Sequence, residues 1–88
     1  MKVTFDKSFS KSIDKLKNRS VATRVIKFIE ECEKASTLKS LKSIKKLTGY
    51  KNFYRYKIGD YRIGFEFDKD EINLIIVAHR KDIYKVFP

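Results

Sequence analysis

The stretch Phe53-Tyr-Arg-Tyr-Lys-Ile-Gly-Asp-Tyr-Arg-Ile-Gly-Phe-Glu-Phe67 alternates on both sides of Gly59-Asp60, a two-residue hairpin loop with a strong short-range signal. Folding about that loop sets Ile58 against Tyr61, Lys57 against Arg62, Tyr56 against Ile63, Arg55 against Gly64 and Tyr54 against Phe65. Successive side chains of a strand point to opposite faces. One face therefore carries Tyr54, Tyr56, Ile58, Tyr61, Ile63, Phe65 and Phe67, which is core material. The other carries Arg55, Lys57 and Arg62, with Gly64 expected to leave an open floor beside them. Like charges directly opposite in a sheet are destabilising, so a fold that keeps Lys57 against Arg62 is a candidate for holding a polyanion. The plainer alternative is a solvated face with its charges splayed into water.

Downstream, the polar turn Asp68-Lys-Asp-Glu71 leads into Ile72–Ala78, a near-continuous apolar run that predicts a strand covered on both faces. Upstream, residues 2–6 alternate weakly and suggest a short first strand. Ser8 is placed to cap a helix carrying Phe9, Ile13 and Leu16. Asn18-Arg19-Ser20 breaks that pattern, and Ser20 is placed to cap a second helix with Val21, Val25, Phe28, Ile29 and Cys32 on one stripe. Leu38, Leu41, Ile44 and Leu47, interleaved with lysines, read as a short helical turn or a packed loop ending near Gly49. The outline is β-α-α-(turn)-β-β-β. It predicts an α+β fold in which an N-terminal strand and a helical hairpin pack on a twisted, mainly antiparallel sheet.

Eighty-eight residues are expected to form one domain spanning 1–88. A hydrophobic content of 42%, with seven Phe and five Tyr, suffices for one core and argues against disorder. The formal charge of +10 points to nucleic acid, an anionic surface or an acidic protein as partner. Nine basic residues fall between Lys34 and Arg62 (Lys34, Lys39, Lys42, Lys45, Lys46, Lys51, Arg55, Lys57, Arg62) against one acid, Asp60, which favours a local anion-binding surface over uniform solvation. One cysteine excludes an internal disulfide and fits a reducing cytosol. One Cys and one His make no metal-ligand cluster. The longest apolar run is far too short to span a membrane, and no leader is expected.

If the last two long strands pair across the 68–71 turn, Phe67 meets Ile72 and Tyr61 meets Ala78. His79 is then expected on the same face as Arg62, and Arg55, Lys57, Arg62, His79, Arg80 and Tyr84 converge on one patch. A one-residue slip would move His79 to the other face. Such a patch suits phosphodiester chemistry in RNA: a base takes the proton of a ribose 2′-hydroxyl, an acid protonates the leaving oxygen, and cations stabilise charge on phosphorus. Arginine offers phosphate a bidentate fork that stays charged, and an aromatic ring stacks on an unpaired base. Each residue also has a duller reading: a surface histidine, a tyrosine covering the core edge, an arginine paired with Glu66 or Asp60.

The segments Leu47-Thr-Gly49, Tyr54-Arg-Tyr-Lys-Ile-Gly-Asp-Tyr-Arg-Ile63 and Ala78-His-Arg-Lys-Asp-Ile-Tyr84 resemble the RelE/ParE superfamily of bacterial toxins, and most closely its RelE-type branch in type II toxin–antitoxin systems. That resemblance implies a cytoplasmic toxin that enters the ribosomal A site and cuts mRNA without a metal or other cofactor, using the adjacent 2′-hydroxyl as nucleophile. It implies a cognate antitoxin as partner beside ribosome and mRNA. By position Arg62 and Arg80 match the family's arginines, and Tyr84 its C-terminal aromatic residue. Arg55 and Lys57 fall where the family keeps basic residues, and Lys42, Lys45, Lys46 and Lys51 are expected to add RNA contacts. His79, with an unperturbed pKa near neutrality, is the candidate general base. The chain departs from the family at Phe53, where some enzymes carry a second lysine. The last element is expected to be short. A ParE-like inhibitor of DNA gyrase that binds without catalysis, or a RelE homologue that has lost catalysis, are the alternatives.

Overall fold

The computed structural model describes residues 1–88. In chain order the elements are β1 (Lys2–Phe5), α1 (Lys7–Lys15), α2 (Arg19–Lys34), a 3₁₀ turn (Leu38–Ser40), β2 (Ile44–Lys46), β3 (Phe53–Ile58), β4 (Tyr61–Asp68), β5 (Glu71–His79) and α3 (Ile83–Val86). The sheet order is β1-β5-β4-β3-β2. Only the β1–β5 pair is parallel, so the expected α+β fold with a mainly antiparallel sheet is found.

The hairpin pairs in the expected register, from Ile58↔Tyr61 to Tyr54↔Phe65. Its apolar face receives Phe9 of α1 and the α2 stripe Val21, Val25, Phe28 and Cys32, which pack on Ile58, Ile63, Phe65, Ile72, Leu74 and Val77. Ile29 is only partly buried against this cluster. Cys32 is fully buried. Burial first, then the charge of Glu31, pushes its thiol up to about 12, which makes it an inert core residue.

Both helices start two residues earlier than expected. Asp6, not Ser8, caps α1 by accepting from the Ser8 N–H, and Asn18, not Ser20, caps α2 by accepting from the Val21 N–H. Asx side chains cap as well as serine, and here they stand first. Ser8 is recruited by the sheet instead. Its hydroxyl lies 2.5 Å from Asp6 Oδ2 and 2.6 Å from the Ile75 carbonyl, while Ser12 Oγ, one turn on, accepts from the Val77 N–H at 3.0 Å. β1 pairs only as far as Leu74, so α1 satisfies β5 groups that β1 does not reach.

Three further details differ from the sequence reading. The leucine-rich segment is neither all turn nor all loop: Ile44–Lys46 forms an edge strand on β3. Leu38, Leu41 and Ile44 pack on the main core, whereas Leu47 is buried on the opposite side of the sheet. The second difference is a bulge. Phe67↔Ile72 is as expected, but between Phe65↔Leu74 and Gly64↔Ile76 strand β5 carries one extra residue, Ile75. Beyond it Tyr61 pairs with His79 rather than Ala78, and Arg62 with Ala78.

The third concerns Gly64, which does not leave an open floor. Leu47, Ile83 and Phe87 form a second small core on that face, backed by Phe53, Ile75, Ile76 and Ala78. A Cβ on Gly64 would stand 2.5 Å from the Phe87 ring, so the glycine is needed for close approach. β5 is thus covered on both faces, as its apolar run predicts, and α3 is a single turn seated over the sheet.

Candidate active site on the basic face of the sheet

The second core covers only part of the face opposite the helices. The rest of that face, towards the hairpin loop, is open. There β2 sets Lys45 against Arg55, and the hairpin sets Lys57 against Arg62. These four cations share one face by strand alternation. Together with Ser43, Ile44 and Tyr84 they line a hollow of about 310 Å³.

Tyr84 reaches the hollow because α3 folds back over the sheet, anchored by buried Ile83 and Phe87 on either side of it. Its own ring is 74% exposed, so it is not spent on the core. The Arg55 guanidinium lies over that ring, 4.7 Å from its centroid, a cation–π contact. Arg55 also holds the Tyr84 phenol below its ordinary value, first as a hydrogen-bond donor and then by its charge, with Lys45 and Arg62 adding to the effect.

Arg62 is fixed from behind. Its Nη1 donates to the Gly59 carbonyl at 2.7 Å and to the Tyr61 carbonyl at 2.8 Å. That leaves Nε and Nη2 to meet a ligand. Sequence reading missed Ser43, which lines the hollow with a positive φ of 63° and accepts the Lys57 N–H on its carbonyl at 3.2 Å. A lone serine between Lys42 and Ile44 carries no signal that would mark such a position.

The other expected site residues lie elsewhere. His79 is not on the Arg62 face. The β5 bulge turns it to the helix side, where its ring meets Tyr61 edge-on at 5.3 Å. Arg80 stands by the hairpin loop: its N–H donates to the Asp60 carbonyl at 2.7 Å, and its Nε is 3.7 Å from Asp60 Oδ1 with both side chains exposed. It does not line the hollow. Lys46 pairs with Tyr54 and so faces the helix side. Lys42 borders a groove with Glu31 and Lys34 of α2. Lys51 is exposed in the turn before β3. Of the expected set, the structure brings together Lys45, Arg55, Lys57, Arg62 and Tyr84.

Comparison with known proteins accords with this fold. A family model described as the ParE toxin of type II toxin–antitoxin system, parDE, matches residues 3–84. Toxin RelE3 of Methanocaldococcus jannaschii is 44% identical over 89 residues, covering 100% of both chains. A chain in the crystal structure of a RelB-RelE antitoxin-toxin complex from Methanococcus jannaschii superposes with a TM-score of 0.83 at 41% identity, covering 97% of this chain and 99% of that one. A chain of the intact E. coli RelBE toxin-antitoxin complex shares the fold, with a TM-score of 0.69 at 21% identity over 89% of this chain and 94% of that one. No helix is long and apolar enough to cross a membrane. With a family model matched over nearly its whole length and a full-length relative at this identity, the chain belongs to the RelE/ParE family of toxins from type II toxin–antitoxin systems.

Proposed function

We propose that this toxin is a ribosome-dependent endoribonuclease acting in the cytoplasm, cutting mRNA in the A site by attack of a ribose 2′-hydroxyl on the adjacent phosphorus. The observation that carries this reading is the open hollow ringed by Lys45, Arg55, Lys57 and Arg62 beneath Tyr84.

In the reaction the 2′-oxygen bonds to phosphorus and the bond from phosphorus to the 5′-oxygen breaks, giving a cyclic phosphate and a 5′-hydroxyl. One proton leaves the 2′-hydroxyl and one is delivered to the departing 5′-oxygen. Negative charge gathers on the non-bridging oxygens, where preorganised cations act most strongly. Arg62, pinned by two backbone carbonyls, and Arg55, resting on Tyr84, are assigned to those oxygens. Lys57 and Lys45 add charge at the rim.

Tyr84 is assigned two tasks. Its exposed ring offers a stacking surface to an unpaired base, and its phenol, which Arg55 foremost holds below its ordinary pKa and so keeps more in the basic form, is assigned to accept the proton, since arginine holds its own. Arg80, free of the hollow and weakly tied to Asp60, is assigned to a neighbouring phosphate of the bound strand. His79 is assigned no part in proton transfer. The relatives crystallised as RelB-RelE complexes support an antitoxin as partner of this chain too.

The test is primer extension on a translated message after induction of the chain. The expected result is cuts within codons, seen only when ribosomes are present. A second reading, a ParE-like gyrase inhibitor, is favoured by the family model's description and by the placement of His79 away from the cations. Intact transcripts together with blocked supercoiling would establish it instead.

A further inference from the structure

On the helix side of the sheet, away from the hollow, lies a second constellation that the proposed reaction does not use. Lys7, Lys11 and Lys15 are exposed along α1 at intervals of four residues. Each step advances about 6 Å and turns about 40° around the helix. The turn carries the row towards the side of α1 that bears Ser8 and Ser12, whose hydroxyls contact β5.

The row therefore runs into the groove where α1 meets the end of β5. That groove, about 290 Å³, is lined by Lys15, Lys17, Tyr61 and His79 among others. Tyr61 and His79 stand edge-to-face at 5.3 Å. The imidazole is held in place because its Nδ1 accepts the Lys81 N–H at 3.1 Å. The lysines are not engaged by acids: Asp82 borders the groove and Asp14 lies on α1, yet the structure's one ion pair is Arg80–Asp60. Like charges at four-residue spacing weaken a helix slightly, and none of these lysines is held in an ion pair.

We propose that Lys7, Lys11, Lys15 and Lys17 form a phosphate-binding rail for single-stranded RNA, ending at the Tyr61–His79 pair, where one unpaired base is received. A cationic track leading to aromatic rings is how proteins hold single strands without reading their sequence, and the step between lysines is comparable to that between neighbouring phosphates. An acidic polypeptide would use the rail but gain nothing from the two rings. The surface does not depend on the hollow being a nuclease. It gives the toxin a second hold on RNA from the opposite side of the sheet.

The experiment uses the full chain and a fluorescent 2′-O-methyl oligouridine, which lacks the nucleophile and so reports binding alone. Affinity is measured across a salt series for wild type, Lys11→Gln/Lys15→Gln/Lys17→Gln, His79→Ala and Arg55→Gln/Arg62→Gln. The rail variant is expected to lower the slope of log affinity against log salt by about 2, since each phosphate contact to a single strand contributes about 0.7. His79→Ala is expected to weaken the single strand about fivefold or more, as loss of base stacking does, and to leave an RNA duplex of equal charge unaffected. Arg55→Gln/Arg62→Gln should keep the His79 effect intact, which separates this surface from the hollow. A rail variant with the wild-type slope, or a His79→Ala variant that binds single strand as wild type does, overturns the proposal. Binding of a polyglutamate peptide that matches the oligonucleotide's affinity and loses as much in the rail variant would assign the surface to an acidic protein instead.

Discussion

Arg62 and Arg80 look equivalent in the sequence, each a basic residue beside an aromatic or imidazole neighbour, but their surroundings separate them. Arg62 is immobilised by two carbonyls of its own hairpin, so its remaining donors meet a phosphate without first being ordered. Arg80 is exposed and tied only to Asp60 at 3.7 Å. Single-turnover cleavage on programmed ribosomes should therefore fall about 10²–10³-fold for Arg62→Ala, the loss typical of one preorganised donor to a developing oxyanion. Arg80→Ala should act mainly on affinity, with a smaller loss at saturation. Equal large losses for both would place Arg80 in the hollow once RNA is bound. Proton transfer is tested at Tyr84. Its pKa is lowered by Arg55 foremost, then by Lys45 and Arg62, so the basic form gains population below the pH at which a free tyrosine would ionise. The cleavage rate should rise with pH and level off below that point. Tyr84→Phe should abolish the rising limb while His79→Gln retains it. A limb that persists in Tyr84→Phe and vanishes in His79→Gln would return the base to the imidazole.

Tyr84 depends on α3, and α3 depends on a glycine in a distant strand. The turn Ile83–Val86 is too short to be stable alone, and its position comes from Ile83 and Phe87 in the second core, with the Phe87 ring against Gly64. Gly64→Ala should therefore cost about 1–3 kcal/mol by overpacking, read as a lowered urea midpoint, and should slow cleavage by displacing Tyr84. Removing the ring as well, in Gly64→Ala/Phe87→Ala, should give less than the sum of the two single losses because the residues touch. Strict additivity would mean that Phe87 does not rest on Gly64 in solution. This dependence marks where sequence reading stopped. The hairpin was legible because its loop and its alternation agree, and the α2 stripe because four of its apolar residues are buried where 3.6-residue spacing puts them. The bulge was not, since an extra residue inside Leu74-Ile75-Ile76-Val77 leaves an apolar run unchanged. That one residue moved His79 across the sheet. β2 was missed because Ile44-Lys45-Lys46 is too short to show the alternation of a strand and sits inside the three-residue spacing Leu38, Leu41, Ile44, Leu47, which reads as a helical turn. Gly64 was misread because its partner comes from the last element of the chain. What local pattern determines was visible, and what depends on contacts between distant segments was not.

The whole molecule is a compact cation: +10 by formal count within principal extents of 31 × 28 × 23 Å, with one weak ion pair between its own charges. A body of this size is seen differently at different ionic strengths. At 0.01 M salt the screening length is about 30 Å, the span of the molecule, so an approaching polyanion feels every charge at once. Near 0.15 M it is about 8 Å, and only charges bordering the contact count. Capture by an acidic antitoxin should follow this change of range. Its association rate is expected to fall at least about tenfold between those two conditions, because long-range attraction governs encounter, while dissociation, set by the short-range contacts formed, changes far less. Lysines away from the hollow distinguish range from contact. Lys42→Gln/Lys46→Gln removes two charges that lie outside the hollow. It should slow association at 0.01 M and approach wild-type behaviour at 0.15 M. Lys45→Gln/Lys57→Gln, at the rim of the hollow, should slow it at low salt and also hasten dissociation at both. Stopped-flow mixing with the antitoxin proposed as this chain's partner measures all of these rates. Association that ignores salt, or a Lys42→Gln/Lys46→Gln variant equally impaired at both ionic strengths, would show that the antitoxin touches those lysines directly and that the global charge does not steer it.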